Sequence, residues 1–380
     1  MIIAHKIALD PTQKQRVYFA KAAGCDRFVW NLALEEWNRA YAAGEKPNGA
    51  KIRKEFNQHW KHAFPWMEEL HRDAHSEAFR RIQMAFNAFF ADPKKTGHPT
   101  FHRKGRKESF YVANDRIAFR GFAVRLPRIG VVKMREELRY HGKIMGAVVS
   151  RQADRWFISV HVDAGVIAKD RLSHHRVGVD VGIKHSIVLS TGEILVGPKP
   201  LAAYLKRLKR RSRKTSRRLL GSRRRNKASR ILSRLYARIA NIRNDWIHKL
   251  TTKLCRENQA VAIEDLHVKG MLRNRRLSRS ISDMGWGEFR RQLEYKSKIY
   301  GTKLIIADRF FPSSRTCSQC GHVKESLSLA ERVFRCDQCG FKIDRDHNAA
   351  RNLIAWGTRE LTPVDSTARK AADRSRNSTG

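Results

Sequence analysis

The chain has 380 residues, room for two or three domains, and a 41% apolar share with a mean hydropathy of −0.57 describes a soluble protein. Seventy-eight Lys and Arg against 36 Asp and Glu give a formal charge of +42, which points to a polyanionic partner, nucleic acid ahead of membrane surfaces or acidic proteins. No run of about 18 apolar residues exists, which excludes a membrane-spanning helix, and the opening MIIAHKIALDPTQ lacks the features of a secretory signal.

Ile2 to Leu9 reads as a strand. Asp10-Pro11-Thr12-Gln13 then reads as a helix start, with Asp10 the cap, Pro11 the first helical residue and Gln13 the third, and the helix runs to about Tyr41. Further helices are expected over 51–60 and 73–90, the second with Phe79, Ile82, Phe86 and Phe89 on one side. His71 and His75 stand four apart, as metal ligands can, but no glutamate follows His71 and they read as surface residues. From Ser109 the period switches to two, with strands expected at 109–112, 116–119, 123–126, 130–132, 143–151 and 155–162. That is a small antiparallel barrel or sheet, with the preceding helices inserted after its first strand.

Arg176 to Val196 reads as three strands with turns at Gly182 and at Thr191-Gly192. Asp180 lies inside the first, where a buried unpaired charge costs several kcal/mol, so it is a candidate site residue. From Lys206 to Arg243 there are seventeen Lys and Arg and no acid. Ile231, Leu235, Ile239, Ile242, Trp246, Leu250 and Leu254 form an apolar stripe along this helical stretch, and Gly221 marks the bend of a hairpin. A solvated helix alternates sign; this one does not, and Arg207, Arg210, Arg211, Arg217, Arg218, Arg224 and Arg225 are candidate phosphate contacts.

QAVAIEDL is another buried strand, ending at Glu264-Asp265. An amphipathic helix over 285–300 and a strand over 302–307 follow, and Cys25 and Cys255 read as core cysteines. Cys317 and Cys320, then Cys336 and Cys339, form two Cys-x-x-Cys pairs fifteen residues apart, each followed by glycine. Four thiolates on two tight turns make a zinc ribbon, holding one structural Zn2+. Next comes Asp344-Arg345-Asp346, opening a helix that Gly357 is placed to cap. Capping explains one aspartate and leaves the other for a site. The polar stretch 358–380 reads as disordered.

Asp180 on a first strand, Glu264 ending a later strand and Asp346 opening the last helix thus stand in elements whose order is that of an RNase H-like fold, in which carboxylates converge on one face. Their chemistry there is phosphodiester hydrolysis with two Mg2+, or Mn2+, ions. No phosphate-binding glycine loop is present, and no ATP is expected.

DVGIKHS, IEDL, FFPSSRTCSQCG, CDQCG and DRDHNAARN, together with Trp30-Asn31 and GHPTFHRKGRKESF, resemble TnpB, the OrfB-type protein of bacterial insertion sequences, a family similar to the type V CRISPR effector nucleases. The likeness covers Met1 to about Gly357. It implies an α+β multidomain chain: a wedge-like β-barrel (1–10 and 92–165) with an inserted helical recognition domain (11–91). A RuvC-like nuclease domain (170–310 and 341–357) follows, carrying an inserted ribbon (311–340). It further implies RNA-guided cleavage of double-stranded DNA beside a short duplex motif, with guide RNA taken from the transposon end, a monomer on one RNA, and a prokaryotic cytoplasmic, nucleoid-associated location. By the D-x-N-x-A motif the third catalytic acid is Asp346, not Asp344. Two rival readings are a DDE-type transposase that joins strands, for which no convincing helix-turn-helix is visible, and a non-cleaving RNA-guided DNA-binding regulator, which loss of an acid would favour.

Overall fold

A computed structural model describes residues 1–106, 108–165, 175–183, 185–328 and 330–359, which fall into two compact units divided after residue 166. The expected disordered tail beyond residue 359 lies outside the described residues.

In the first unit, strand β1 (Ile2–Asp10) buries every second residue, Ile3, His5, Ile7 and Leu9. It leads into α1 (Gln13–Ala42), α2 (Gly49–Glu55, continuing as a π-helical turn), α3 (Asp73–Ala91) and α4 (Pro93–Thr96). Strands β2 (Glu108–Val112), β3 (Ala118–Arg120), β4 (Ala123–Leu126), β5 (Gly130–Met134), β6 (Lys143–Gln152) and β7 (Arg155–Asp163) complete a seven-stranded sheet in the order β2-β6-β7-β1-β5-β4-β3. One buried cluster runs from Ile7 and Ile158 of the sheet through Phe19, Trp37, Phe79 and Phe86 of the helices.

Three local expectations change. The cap of α1 is Thr12, whose hydroxyl accepts from the Gln15 backbone while the Gln15 side chain accepts from Thr12 N. Asp10 is spent on β1, opposite Lys133 of β5. His71 and His75 are buried rather than on the surface. The His71 ring is held between the Tyr18 hydroxyl (3.0 Å) and the Tyr111 carbonyl (3.0 Å), and burial lowers its pKa.

The second unit begins with β8 (His175–Val181), β9 (Ile187–Leu189) and β10 (Ile194–Leu195), then the hairpin of α5 (Pro200–Ser216) and α6 (Arg223–Glu257). Strand β11 (Asn258–Glu264), α7 (Val268–Met271), α8 (Ser278–Met284), α9 (Trp286–Tyr300) and β12 (Lys303–Ala307) follow, then the small β13 (Val333–Arg335) and β14 (Lys342–Asp344), and α10 (Arg345–Arg359). The main sheet has the order β10-β9-β8-β11-β12, antiparallel from β10 to β8 and parallel from β8 to β12.

Side-chain alternation divides this sheet into two faces. Val177, Val179, Val261 and Ile263 pack with Ile247 and Leu250 of α6 and with Phe289 and Leu293 of α9. Ala260, Ala262, Ile305 and Ala307 lie with Leu353 of α10. The second set is small because a helix backbone comes down close upon it. A Cβ on Gly178 would stand 1.9 Å from the Ala350 carbonyl oxygen, so only glycine admits α10 at this height. Gly357 serves the same close approach. It lies inside α10, not beyond its end as expected, with Ile305 only 3.0 Å from where a Cβ would project.

Candidate active site and metal centre

Pairing register places the acids. Val179 of β8 is level with Ile263 of β11, so Asp180 and Glu264 are the next residues along two adjacent parallel strands and share the face that Gly178 and Ala262 present to α10. Gly178 holds Ala350 against β8, and Asp346 lies one turn before Ala350, toward Asp180. Asp180 senses the other two acids. Burial, then Asp346 and Glu264, push the Asp180 carboxyl up to about 8, against the opposing pull of Arg345. Burial and then Asp265 raise Glu264 as well. The Arg345 guanidinium stands 3.2 Å from Asp346. Asp344 plays a different part. Its Oδ1 accepts from the backbone N–H of Asp346 and of His347, both at 3.0 Å, and so caps the helix. The three carboxylates do not close on a single point. Among the described residues, the only three or more potential ligands within 4.8 Å of one another are the four cysteines.

Those cysteines are arranged for a metal. Cys317 Sγ is 3.7 Å from Cys339 Sγ and Cys320 Sγ is 3.6 Å from Cys336 Sγ. Four thiolates about 2.3 Å from one zinc ion would stand roughly 3.8 Å apart, so the donor set fits it and leaves no open position. Each knuckle is the same turn: Gly321 N donates to Cys317 O and Gly340 N to Cys336 O, with φ of 81° and 72° at the two glycines. The backbone N–H of Cys339 pulls the Cys336 thiol down to about 6, against the effect of burial.

Two residues to which the sequence alone gave no role join this centre to the acids. The Asn348 amide donates to Thr316 O (2.7 Å) while its oxygen accepts from Ser318 N (3.0 Å). Asn352 donates to Ser313 O (2.7 Å) and Thr316 O (2.6 Å). Both asparagines are buried, one turn apart on α10, and both grip the backbone around Cys317. Buried amides four apart on an otherwise apolar helix face were the visible signal.

The basic hairpin turns at Gly221, with φ of 79°. From Arg223 to Arg234 it contributes no buried side chain, while Leu235, Ile239, Ile247, Leu250 and Leu254 are buried further along α6. Arg211, Arg218 and Arg224, with Lys214 and Lys227, line a cleft of about 340 Å3 between the two helices. Arg210 and Arg217 line a neighbouring one of about 490 Å3. Arg207 is exposed on α5. Arg225 differs from the others, donating to Arg218 O (2.7 Å), and so helps build the turn.

Family models match three stretches: one described as "Probable transposase" over residues 159–275, one as "Cas12f1-like, TNB domain" over 286–353, and one as "Helix-turn-helix domain" over 1–46. In this chain the last stretch holds a strand and one continuous 30-residue helix. A protein of Streptomyces pristinaespiralis, provisionally named an RNA-guided DNA endonuclease, is 38% identical over 93% of this chain and 89% of its own length. InsQ of Escherichia coli K12, named likewise, is 30% identical over 93% of this chain and 92% of its own. Among solved structures, a Cas12f1 chain from a Cas12f1–sgRNA–target DNA complex superposes with a TM-score of 0.58 at 16% identity, over 90% of this chain and 83% of that one, a likeness of fold. No described helix is long and apolar enough to cross a membrane.

Proposed function

Since the chain belongs to the TnpB (OrfB-type) family of RNA-guided DNA endonucleases, we propose that Asp180, Glu264 and Asp346 are its catalytic carboxylates and that they cut DNA selected by a bound guide RNA. The observation that carries this reading is the electrostatic state of Asp180, held near 8 by burial and by two acids drawn from β11 and α10. Such a cluster is unstable alone and suits hard divalent cations with oxygen ligands. Two Mg2+ or Mn2+ ions held by these residues would supply Lewis-acid stabilisation of the phosphodiester displacement by water. Arg345 balances the charge of Asp346, and Asp344 fixes the turn on which Asp346 stands.

In this reading the second unit is an RNase H-like, RuvC-type nuclease (170–310 and 341–357) with the ribbon (311–340) inserted and held by one structural Zn2+. The first unit is a wedge-like barrel with an inserted recognition domain, and it reads the flanking duplex motif. Arg207, Arg210, Arg211, Arg217, Arg218 and Arg224 follow the phosphates of the guide or its duplex with target. The enzyme works as a monomer on one RNA, in the cytoplasm on nucleoid DNA.

The test is to purify the chain with the RNA it retains, sequence that RNA, and offer duplex DNA matching its variable end. We expect Mg2+-dependent cutting that Asp180→Ala abolishes while RNA retention is unchanged. Joined rather than free DNA ends would favour the transposase, and protein that retains no RNA would overturn the guided reading.

A further inference from the structure

The C-terminal end of β11 opens onto a cavity beside the carboxylates. It has a volume of about 250 Å3, Val181, Leu266, Val268, Trp286 and Phe289 line it, and Glu264 belongs to the same lining. Trp286 is 6% exposed, yet its indole N–H has no acceptor. Buried indole N–H groups ordinarily find one. Lys269 also lines the cavity and brings positive charge to it, while Arg290, in the same lining, is paired with Asp265 and Glu294.

These features together describe an occupant. It is flat enough to lie among aromatic and branched apolar side chains, has a polar edge that can accept from an indole, and is attached to an anion. At about 250 Å3 the space falls just short of the range of drug-sized ligand sites, roughly 300–1,000 Å3, so it suits one ring system. A nucleobase meets each condition, and its own phosphate is the anion. A base in a duplex enters such a site only if it is flipped out, at a cost in stacking and pairing, whereas a base in a single strand enters without that cost.

We propose that this cavity takes one unstacked base of the DNA strand being cut, next to the phosphodiester at Glu264. The proposal rests on the endonuclease reading above and deepens it. The base sets which phosphate lies against the carboxylates.

Gly287 supplies a clean variant. It lines the cavity, is exposed on α9, and a Cβ there meets nothing within 4 Å. Gly287→Leu therefore suits the helix and fills the space, and Gly287→Ala is its control. The probe is single-stranded DNA with 2-aminopurine stepped along it, added to the full chain with its co-purified RNA in Ca2+, and the same strand with an abasic residue stepped along it, cut in Mg2+. The expected result is a fluorescence change at one position only, beside the cut bond. An abasic residue there should slow cutting by about tenfold, with little effect elsewhere. Gly287→Leu should lose both signals and Gly287→Ala keep them. A response equal at all positions, or one that persists in Gly287→Leu, overturns the proposal. A response at one position from protein that cuts no DNA supports the base site and overturns the nuclease reading instead.

Discussion

The second unit contains two clusters of potential metal ligands, built by opposite means. The four cysteines come from two short turns, each set by its own sequence, and their sulfurs already stand at the edge lengths of a zinc tetrahedron. The three acids come from β8, β11 and α10, elements as far apart in sequence as residues 180 and 346, and two of them raise the carboxyl of Asp180 without the three closing on one point. A structural site can be rigid and closed. Under the proposed function, a site that admits a phosphate and its ions would keep charges near one another without satisfying them, and Gly178 beneath α10 allows the close approach. The two clusters are not independent, because Asn348 and Asn352 tie the first knuckle to the helix that carries Asp346.

The comparison breaks most sharply at the acids. Asp180→Ala or Asp346→Ala should lower cleavage on the order of 10³-fold or more, as loss of one member of a unit acting together does, without releasing the RNA. Asp344→Ala should cost only the cap, about 1 kcal/mol of stability, with a milder fall in rate. Single-turnover cleavage and a thermal melt on each variant check this. If Asp344→Ala proves the more damaging to chemistry at unchanged stability, the roles of the two aspartates are reversed.

A smaller effect should pass from one cluster to the other. Cys336→Ser would remove one of the four thiols of the ribbon and should loosen the backbone that Asn348 and Asn352 hold. We expect cleavage to fall about 10- to 100-fold, as when a supporting shell is lost, with hydrogen exchange rising first over 313–343. Asn352→Ala should reproduce part of the loss with the zinc content, read by mass spectrometry, unchanged. Full activity in zinc-free protein would show that the ribbon does not position Asp346.

Legibility in the sequence follows the same division. The ribbon could be read from spacing alone, since two residues between cysteines and a glycine after them specify a turn. The five strands of the second unit's main sheet were legible from their apolar runs, and the hairpin bend from Gly221. What pairing and packing decide was harder to see. Asp10 and Thr12 are both good helix caps, and only the β1–β5 register, which uses Asp10, selects Thr12. His71 is polar and four from His75, so nothing local says that the Tyr18 hydroxyl and Tyr111 carbonyl will bury it. Gly357 looked like a helix stop and is a close-approach site against Ile305. The distance between the acids belongs to this second kind, because pairing register and the height of α10 over β8 decide it.

The subtlest expected effect is thermodynamic, and it separates the clusters without any cleavage assay. In Mg2+-free buffer, with the ribbon's metal left in place, Asp180 titrates at about 8 in the folded chain and near 4 when unfolded. Between those values the folded chain keeps a proton that the unfolded chain has released, so stability falls as pH rises through the window. Glu264 is shifted in the same direction and adds to the slope. Screening and the coupling of the acids reduce the effect to the order of 1–3 kcal/mol between pH 5 and pH 8.5. Asp180→Asn should flatten that slope, which separates it from the titration of the sixteen histidines. Adding Mg2+ should restore stability by binding the folded state alone. The gain should be larger at pH 8.5 than at pH 6, because the ion and the proton compete for the same oxygens, and it should be absent in Asp180→Asn. Thermal melts of both proteins across this pH range, with and without Mg2+, make the measurement. Equal slopes in wild type and variant would mean that Asp180 is not held against the other acids, and the placement of α10 over β8 would then have to serve packing alone.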